Sequence, residues 1–202
     1  MSIDVSPELQ TPMRYSKEHK DQIRQQLLSK SGSYAKKHGF AATGVDALAG
    51  AAGLTTGSLY KHFDNKTALF SALIEAELDR TLHRFANVKP GDTDAMLKAL
   101  ASYLSMQHVR SPESGCPLPS LTAEIAQSTD DVRAVFETGV LQFKNVLKEL
   151  TGSDTTAWTL IAQNVGAVMI ARAMSHDSVK REIVNAVRAA GANLLVNTPD
   201  KE

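Results

Sequence analysis

The stretch AAGLTTGSLYKHFDNK, residues 51–66, starts on alanines that suit a helix, breaks at Gly53 and two threonines, and then gathers Tyr60, Lys61, His62 and Phe63. Three readings compete for it: a poor helix, a cluster of catalytic side chains, or a turn that aims a short helix at an anion. The spacing favours the third. Ala49, Ala51 and Ala52 let two short helices cross closely, and Gly53 takes the turn between them. Leu48, Leu54 and Leu59 fall where the two helices would bury against each other. A catalytic or metal-binding role for His62 lacks partners. No second His, Cys or carboxylate stands beside it at ligand spacing, and Asp64, two residues away, would not share its helix face. No metal and no cofactor are expected, and His62 reads as structural or phosphate-facing.

The second helix begins with polar side chains small enough to enter a major groove: Thr55, Thr56 and Ser58. With Thr55 as N-cap, the amides of Thr56, Gly57 and Ser58 face outward, where a phosphate oxygen is attracted. Gly57 has no side chain to hold the backbone away from DNA. Tyr60 and Lys61 lie one turn further on, within reach of phosphate or base edges, and Lys66 can meet the backbone as a point charge.

The surrounding pattern is helical throughout. Ser16 and Glu18 read as the start of a first helix, with Ile23, Leu27, Tyr34 and Ala35 at helical spacing and Gly39 as its stop. Its middle, SKSGS, is a weak helix former, because Gly32 costs about 1 kcal/mol relative to Ala. Short helices are expected over residues 45–52 and 54–63. A long one is expected from Asn65 to Phe85, with Leu69, Phe70, Leu73, Ile74, Leu78 and Leu82 on one face. After NVKPGD at 87–92, helical patterns recur near 93–110, 119–127, 130–150, 154–175 and 178–197. No strand-period alternation persists. The expected fold is all-α: an arm over 1–15, a helix-turn-helix head over 16–64, and a helical body over 65–202 whose first part, 65–86, connects the two.

Bulk properties agree. Apolar residues make up 43% of the 202, yet aromatics only 5%, a composition that suits packed helices better than a β-sandwich. No apolar run is long enough to span a membrane, and the N-terminus lacks the apolar core of a signal peptide, so a cytoplasmic protein is expected. The single cysteine, Cys116, excludes an internal disulfide. The net charge of zero hides an asymmetry. Residues 14–66 hold nine Lys/Arg against four Asp/Glu, while the remainder is acidic. That is the pattern expected when one module meets phosphate and the other does not. Arg14, Lys17 and Lys20 read as a solvated arm more readily than as a minor-groove contact.

The run G-F-x-x-T-x-V-x-x-L-A-x-x-A-G-L-T-x-G-S-L-Y-x-H-F-x-x-K-x-x-L-F, residues 39–70, resembles the DNA-binding signature of the TetR (tetracycline repressor) family. The resemblance has Thr43, Ala52, Gly53, Thr55, Gly57, Tyr60, His62, Phe63 and Lys66 in register. It implies a recognition helix carrying Thr55, Thr56, Ser58, Tyr60 and Lys61, phosphate contacts from Thr43 and Lys66, and Phe63 as a core residue of the head. Gly44 stands where the family commonly has threonine or a β-branched residue, and SKSGSYA replaces an alanine-rich run with a phenylalanine.

The resemblance also implies pairing of the bodies and a small-molecule effector inside each. Trp158, Ile161, Val165, Val168, Met169 and Ala173 recur at helical spacing, as do Val179, Ile183, Val187, Ala190 and Leu194, with Ala189, Gly191 and Ala192 allowing close approach. Helices 154–175 and 178–197 of two chains would make a four-helix homodimer interface. Candidate pocket residues are Tyr103, Met106, Gln107, His108, Cys116, Phe136, Phe143, Trp158, Gln163 and Met169. Cys116, in SGCPLPSLTAEIA, precedes a helix start whose amides could lower its pKa, as a redox sensor requires, although a small buried hydrophobe is the commoner role. The expected function is a repressor that binds a palindromic double-stranded DNA operator as a homodimer and is released by a small ligand or by thiol modification. The competing readings are a helical enzyme using Cys116 with His108, and a helical interaction module without DNA binding.

Overall fold

The computed structural model describes residues 17–196, and all regular structure among them is helical. The Ser16 cap and the 1–15 arm lie outside the described residues. The head contains α1 (Lys17–His38), α2 (Val45–Ala51) and α3 (Thr56–Leu59). The connecting helix α4 (Lys66–His83) leads into α5 (Thr93–Tyr103), α6 (Met106–Arg110), a 3-10 turn at Pro112–Ser114, α7 (Leu118–Ala126), α8 (Asp130–Thr151), α9 (Asp154–Ala173) and α10 (Asp177–Val196). Among the described residues no helix is long and apolar enough to cross a membrane.

The punctuation has local causes. Gly39, Gly53 and Gly152 sit at φ +82°, +70° and +76°, the left-handed conformation that ends a helix at low cost for glycine. Asn65 caps α4 by accepting from the Ala68 amide at 2.8 Å, and Thr55 caps α3 by accepting from Ser58. The expected single helix over 93–110 is in fact two. It breaks at Leu104, and Ser105 caps α6 by accepting from the His108 amide. A fully buried Leu104 followed by a capping serine re-aims the chain there.

Packing turns the weak middle of α1 into a close contact. Ser31 donates to the Leu48 carbonyl at 2.9 Å, tying α1 to α2. A Cβ on Gly32 would lie 2.6 Å from Glu77 Oε1 of α4, so only glycine leaves room for that carboxylate. Gly139 of α8 likewise stands where a Cβ would collide with Leu78 of α4. In the body α4 packs on α8, α8 on α9, and α9 on α10, which also covers α5. Phe40 stacks on Phe70 with ring centroids 4.0 Å apart, fastening the head to α4.

Candidate nucleic-acid interface

Helices α2 and α3 meet through Leu48, Ala49, Ala52 and Leu59, all buried, with Leu54 half-buried beside them. Only one turn of α3 is regular. Its hydrogen bonds then tighten to the i→i−3 pattern, with Lys61 and His62 donating to the Ser58 and Leu59 carbonyls, so the expected helix over 54–63 ends as a coiled turn at Phe63. Phe63 is buried and carries the Arg24 guanidinium 4.7 Å above its ring.

The opposite side of this element faces outward. Thr55, Gly57, Tyr60 and Lys61 are exposed, and Thr56, Ser58, His62 and Lys66 half-exposed. Tyr60 stands 47% accessible, an unusual position for an aromatic with no partner to cover it. Thr56 donates to the Asp46 carboxylate of α2, which fixes the first turn of α3. Lys66 donates to the Ala41 carbonyl at 3.1 Å and lies over the Phe40 ring. The region is electropositive: His62 titrates below the ordinary histidine range, chiefly through burial and then through the charges of Arg24, Lys20 and Lys61. Thr43 differs from its neighbours. It is buried and its hydroxyl donates to the Gly39 carbonyl, so its side chain closes the turn after α1.

Residues 33–73 match the family described as bacterial regulatory proteins, tetR family. That segment carries a TetR-type DNA-binding domain. The matched domain is the DNA-binding part of transcriptional regulators. A nucleoid occlusion factor SlmA from Actinobacillus pleuropneumoniae serotype 5b is 28% identical over 152 residues, 71% of this chain and 72% of that one. The reduced form of Escherichia coli NemR superposes with a TM-score of 0.74 at 22% identity, covering 88% of this chain and all of that one. Bacillus subtilis FadR in complex with stearoyl-CoA superposes at 0.65 and 16% identity, covering 87% and 99%. At these identities the superpositions establish the shared fold.

The residues expected to line a pocket are dispersed by the TetR-type body. Tyr103 and Phe143 do line an internal cavity of about 30 Å³ between α5, α8, α9 and α10. Sequence reasoning missed their neighbours Phe85, Met96 and Asn164. Asn164 was the one with a visible signal, a polar residue inside the apolar run of α9. Gln107 is exposed, Trp158 is 43% accessible, and Phe136 packs half-buried outside the cavity. Met106 is half-buried and Met169 exposed, neither in the cavity wall. Gln163 turns toward Gly191 of α10, where a Cβ would come within 2.9 Å of its Nε2. Gly191 is therefore a contact within the chain, not the intersubunit one expected for it.

Cys116 and His108 are both buried next to Tyr103 and do not form a thiol–imidazole pair. His108 Nε2 accepts from the Cys116 backbone amide at 3.1 Å, and Nδ1 lies 2.8 Å from the Tyr103 carbonyl. The two bonds together require the neutral ring protonated on Nδ1. Burial, with Arg172, Arg84 and Lys36 nearby, lowers the His108 pKa to about 4. Neither nitrogen is left to take a thiol proton, which removes the enzyme reading. The thiol itself is pushed up by burial, the reverse of the expected shift, because desolvation outweighs the influence of the Leu118 amide and the neighbouring hydroxyls. Among the described residues no cluster of His, Cys, Asp and Glu could hold a metal ion.

The residues that join head to body escaped the sequence reading. Lys36 of α1, buried, donates to Glu77 of α4 at 2.6 Å and to the Gly115 carbonyl at 2.8 Å. Glu124 of α7 accepts from the amides of Phe40 and Ala41, at 2.9 and 2.6 Å, just after α1. Within the body, Arg172 of α9 donates to the His108 and Val109 carbonyls and to Ser120.

Proposed function

We propose that the chain represses transcription as a homodimer on a palindromic operator, placing two copies of the Thr55–His62 element in successive major grooves. The observation that carries this reading is the exposed Tyr60 and Lys61 on the outer face of a two-helix unit whose inner face is fully packed. In this reading Thr55, Thr56, Gly57, Ser58 and His62 share the contact face, Lys66 meets the phosphate backbone, and Thr43 contributes through its backbone, since its hydroxyl is turned inward. Residues 16–64 form the head and 65–202 the sensing and pairing body. Helices α9 and α10 form the pairing surface. One side of α9 is buried through Ala157, Leu160, Ile161 and Val168, while Trp158, Met169 and Ile170 remain uncovered. An apolar stripe of this kind asks for a partner.

Release follows occupation of the cavity in the body by a small effector, in the cytoplasm where operator and regulator meet. Thiol modification is the weaker trigger, because Cys116 is wholly inaccessible. A long acyl-CoA such as the one bound by the Bacillus subtilis FadR exceeds a 30 Å³ cavity by far. Gel shifts on an operator selected from random duplex DNA test the reading. Tyr60→Ala and Lys61→Ala should each abolish binding with circular dichroism and dimer mass unchanged, and wild-type affinity should fall steeply with salt. Full affinity in either variant overturns the assigned recognition element, and a recovered site without two-fold symmetry overturns the dimer.

A further inference from the structure

The cavity between α5, α8, α9 and α10 has a wall chemistry that restricts what can enter it. Three aromatic rings (Phe85, Tyr103 and Phe143) and the Met96 thioether face it, with aliphatic side chains completing the wall. Rings and sulfur meet an aromatic guest at favourable edge and face geometries, which gives a flat ring more contact than a flexible chain of equal size. Its two polar side chains are Tyr103 and Asn164. Tyr103 is 9% accessible, and its hydroxyl lies buried without a hydrogen-bond partner. It meets the Cys116 thiol, a weak hydrogen-bonding group, but not in a geometry that forms a proper bond. Asn164 Oδ1 is likewise buried and unpartnered. Buried polar atoms in folded proteins are nearly always satisfied, so a pair of orphans on one cavity wall marks places where a guest supplies the missing bonds.

The two orphans are complementary in kind. A hydroxyl on a guest can donate to Asn164 Oδ1 and accept from the Tyr103 O–H. A carboxylate cannot donate, and no cation lines the wall to balance its charge, so a charged guest would be desolvated without compensation. A hydrocarbon would fill the space and leave both orphans unpaired. The void of about 30 Å³ is room for little more than water, so any ring must part the helices that enclose it. A ligand that fits only a widened body favours that state of the body over the closed one.

We propose that this cavity binds an uncharged aromatic alcohol or phenol, its ring held by Phe85, Phe143 and Met96 and its hydroxyl bridging Tyr103 and Asn164. The assignment rests on the reading of the body as the effector-binding part of the regulator. Its test is therefore made without DNA. Calorimetric titration of the full chain with benzyl alcohol, toluene and benzoate reads the preference directly. Benzyl alcohol should bind about tenfold more tightly than either of the others, the worth of one added hydrogen-bond set. Tyr103→Phe removes only an unpartnered oxygen, so the variant keeps its fold. It should bring benzyl alcohol to about the affinity of toluene. Ala99→Phe, which fills the cavity, should abolish binding of both. Benzoate or toluene matching benzyl alcohol overturns the proposal, as does a preference that survives Tyr103→Phe or the failure of benzyl alcohol to bind at all. A gel shift with benzyl alcohol is then a separate result. Binding without operator release leaves the ligand class standing and removes the effector role.

Discussion

The seam between head and body and the cavity inside the body are both buried, and they are built on opposite principles. At the seam, every polar group described has found a partner. Lys36 has Glu77 and the Gly115 carbonyl, Glu77 also has Arg80, and Glu124 has two backbone amides. In the cavity, two polar groups have none. A satisfied ionic network is stiff and fails sharply when one member is lost, whereas a loosely filled apolar space yields to what enters it. Under the proposed function, the body would deform around its ligand while the seam holds α1 rigidly to α4 and transmits the displacement. His108 belongs to both regions. Its ring packs edge-on against Tyr103 at 4.6 Å, and its Nε2 holds the segment whose Gly115 carbonyl receives Lys36.

The largest effect should come from breaking the seam. Glu77→Ala leaves the Lys36 ammonium buried without its counter-charge, in a site where burial already pushes it below the usual lysine range. Removing one partner of such a pair costs about 3–5 kcal/mol, while replacing both with apolar residues is often close to neutral. Urea unfolding should show a loss of that size for Glu77→Ala and recovery of most of it in the Lys36→Met/Glu77→Leu double variant. If the single variant lost under about 1 kcal/mol, the seam would be no stiffer than a surface ion pair.

A smaller effect should follow acidification. His108 is held neutral with a pKa of about 4, below the ordinary 6.5, so the unfolded chain binds this proton more readily than the folded one. Its contribution is therefore fully present above pH 6.5 and is lost as pH falls toward 4. The window is worth about 3 kcal/mol. Comparing urea midpoints at pH 7 and pH 4.5, the wild type should lose more stability than His108→Gln, which has no proton to gain. Parallel losses in the two proteins would show that carboxylates alone set the acid sensitivity.

The head was almost wholly legible in the sequence, because its turns demand particular residues. Gly53 must reverse the chain, Thr55 must cap, and Leu48 and Leu59 must meet. The seam was not legible, because Lys36 and Lys37 are adjacent and chemically identical, yet one is buried and the other exposed. Helical phase separates them. Lys36 continues the buried series Leu28, Ser31, Gly32 and Ala35, and Lys37 does not. Gly32, read as a defect in α1, proved to be the vacancy that admits Glu77. The cavity was legible only in part, since Tyr103 and Phe143 line it but Trp158, on the same apolar periodicity, faces out. Periodicity locates a covered face and does not say whether its own chain or a second copy covers it. Nothing in α9 marks that division, as apolar residues run around most of its circumference.

The smallest effect is the one that tests the contrast most directly. If the cavity carries unsatisfied polar atoms by design, deleting one should cost nothing. Tyr103→Phe keeps the ring against Phe143 and His108 and removes an oxygen that burial holds neutral, its pKa pushed well above the ordinary range. Losing a bonded hydroxyl typically costs about 1 kcal/mol, but losing an orphan relieves a desolvation penalty instead. Urea unfolding should therefore place Tyr103→Phe within about 0.5 kcal/mol of the wild type or above it, while its response to benzyl alcohol falls to that given by toluene. A loss of 1 kcal/mol or more would mean that the Tyr103–Cys116 contact is a true hydrogen bond. The cavity would then be as fully satisfied as the seam, and the difference between the two regions would lie in charge alone.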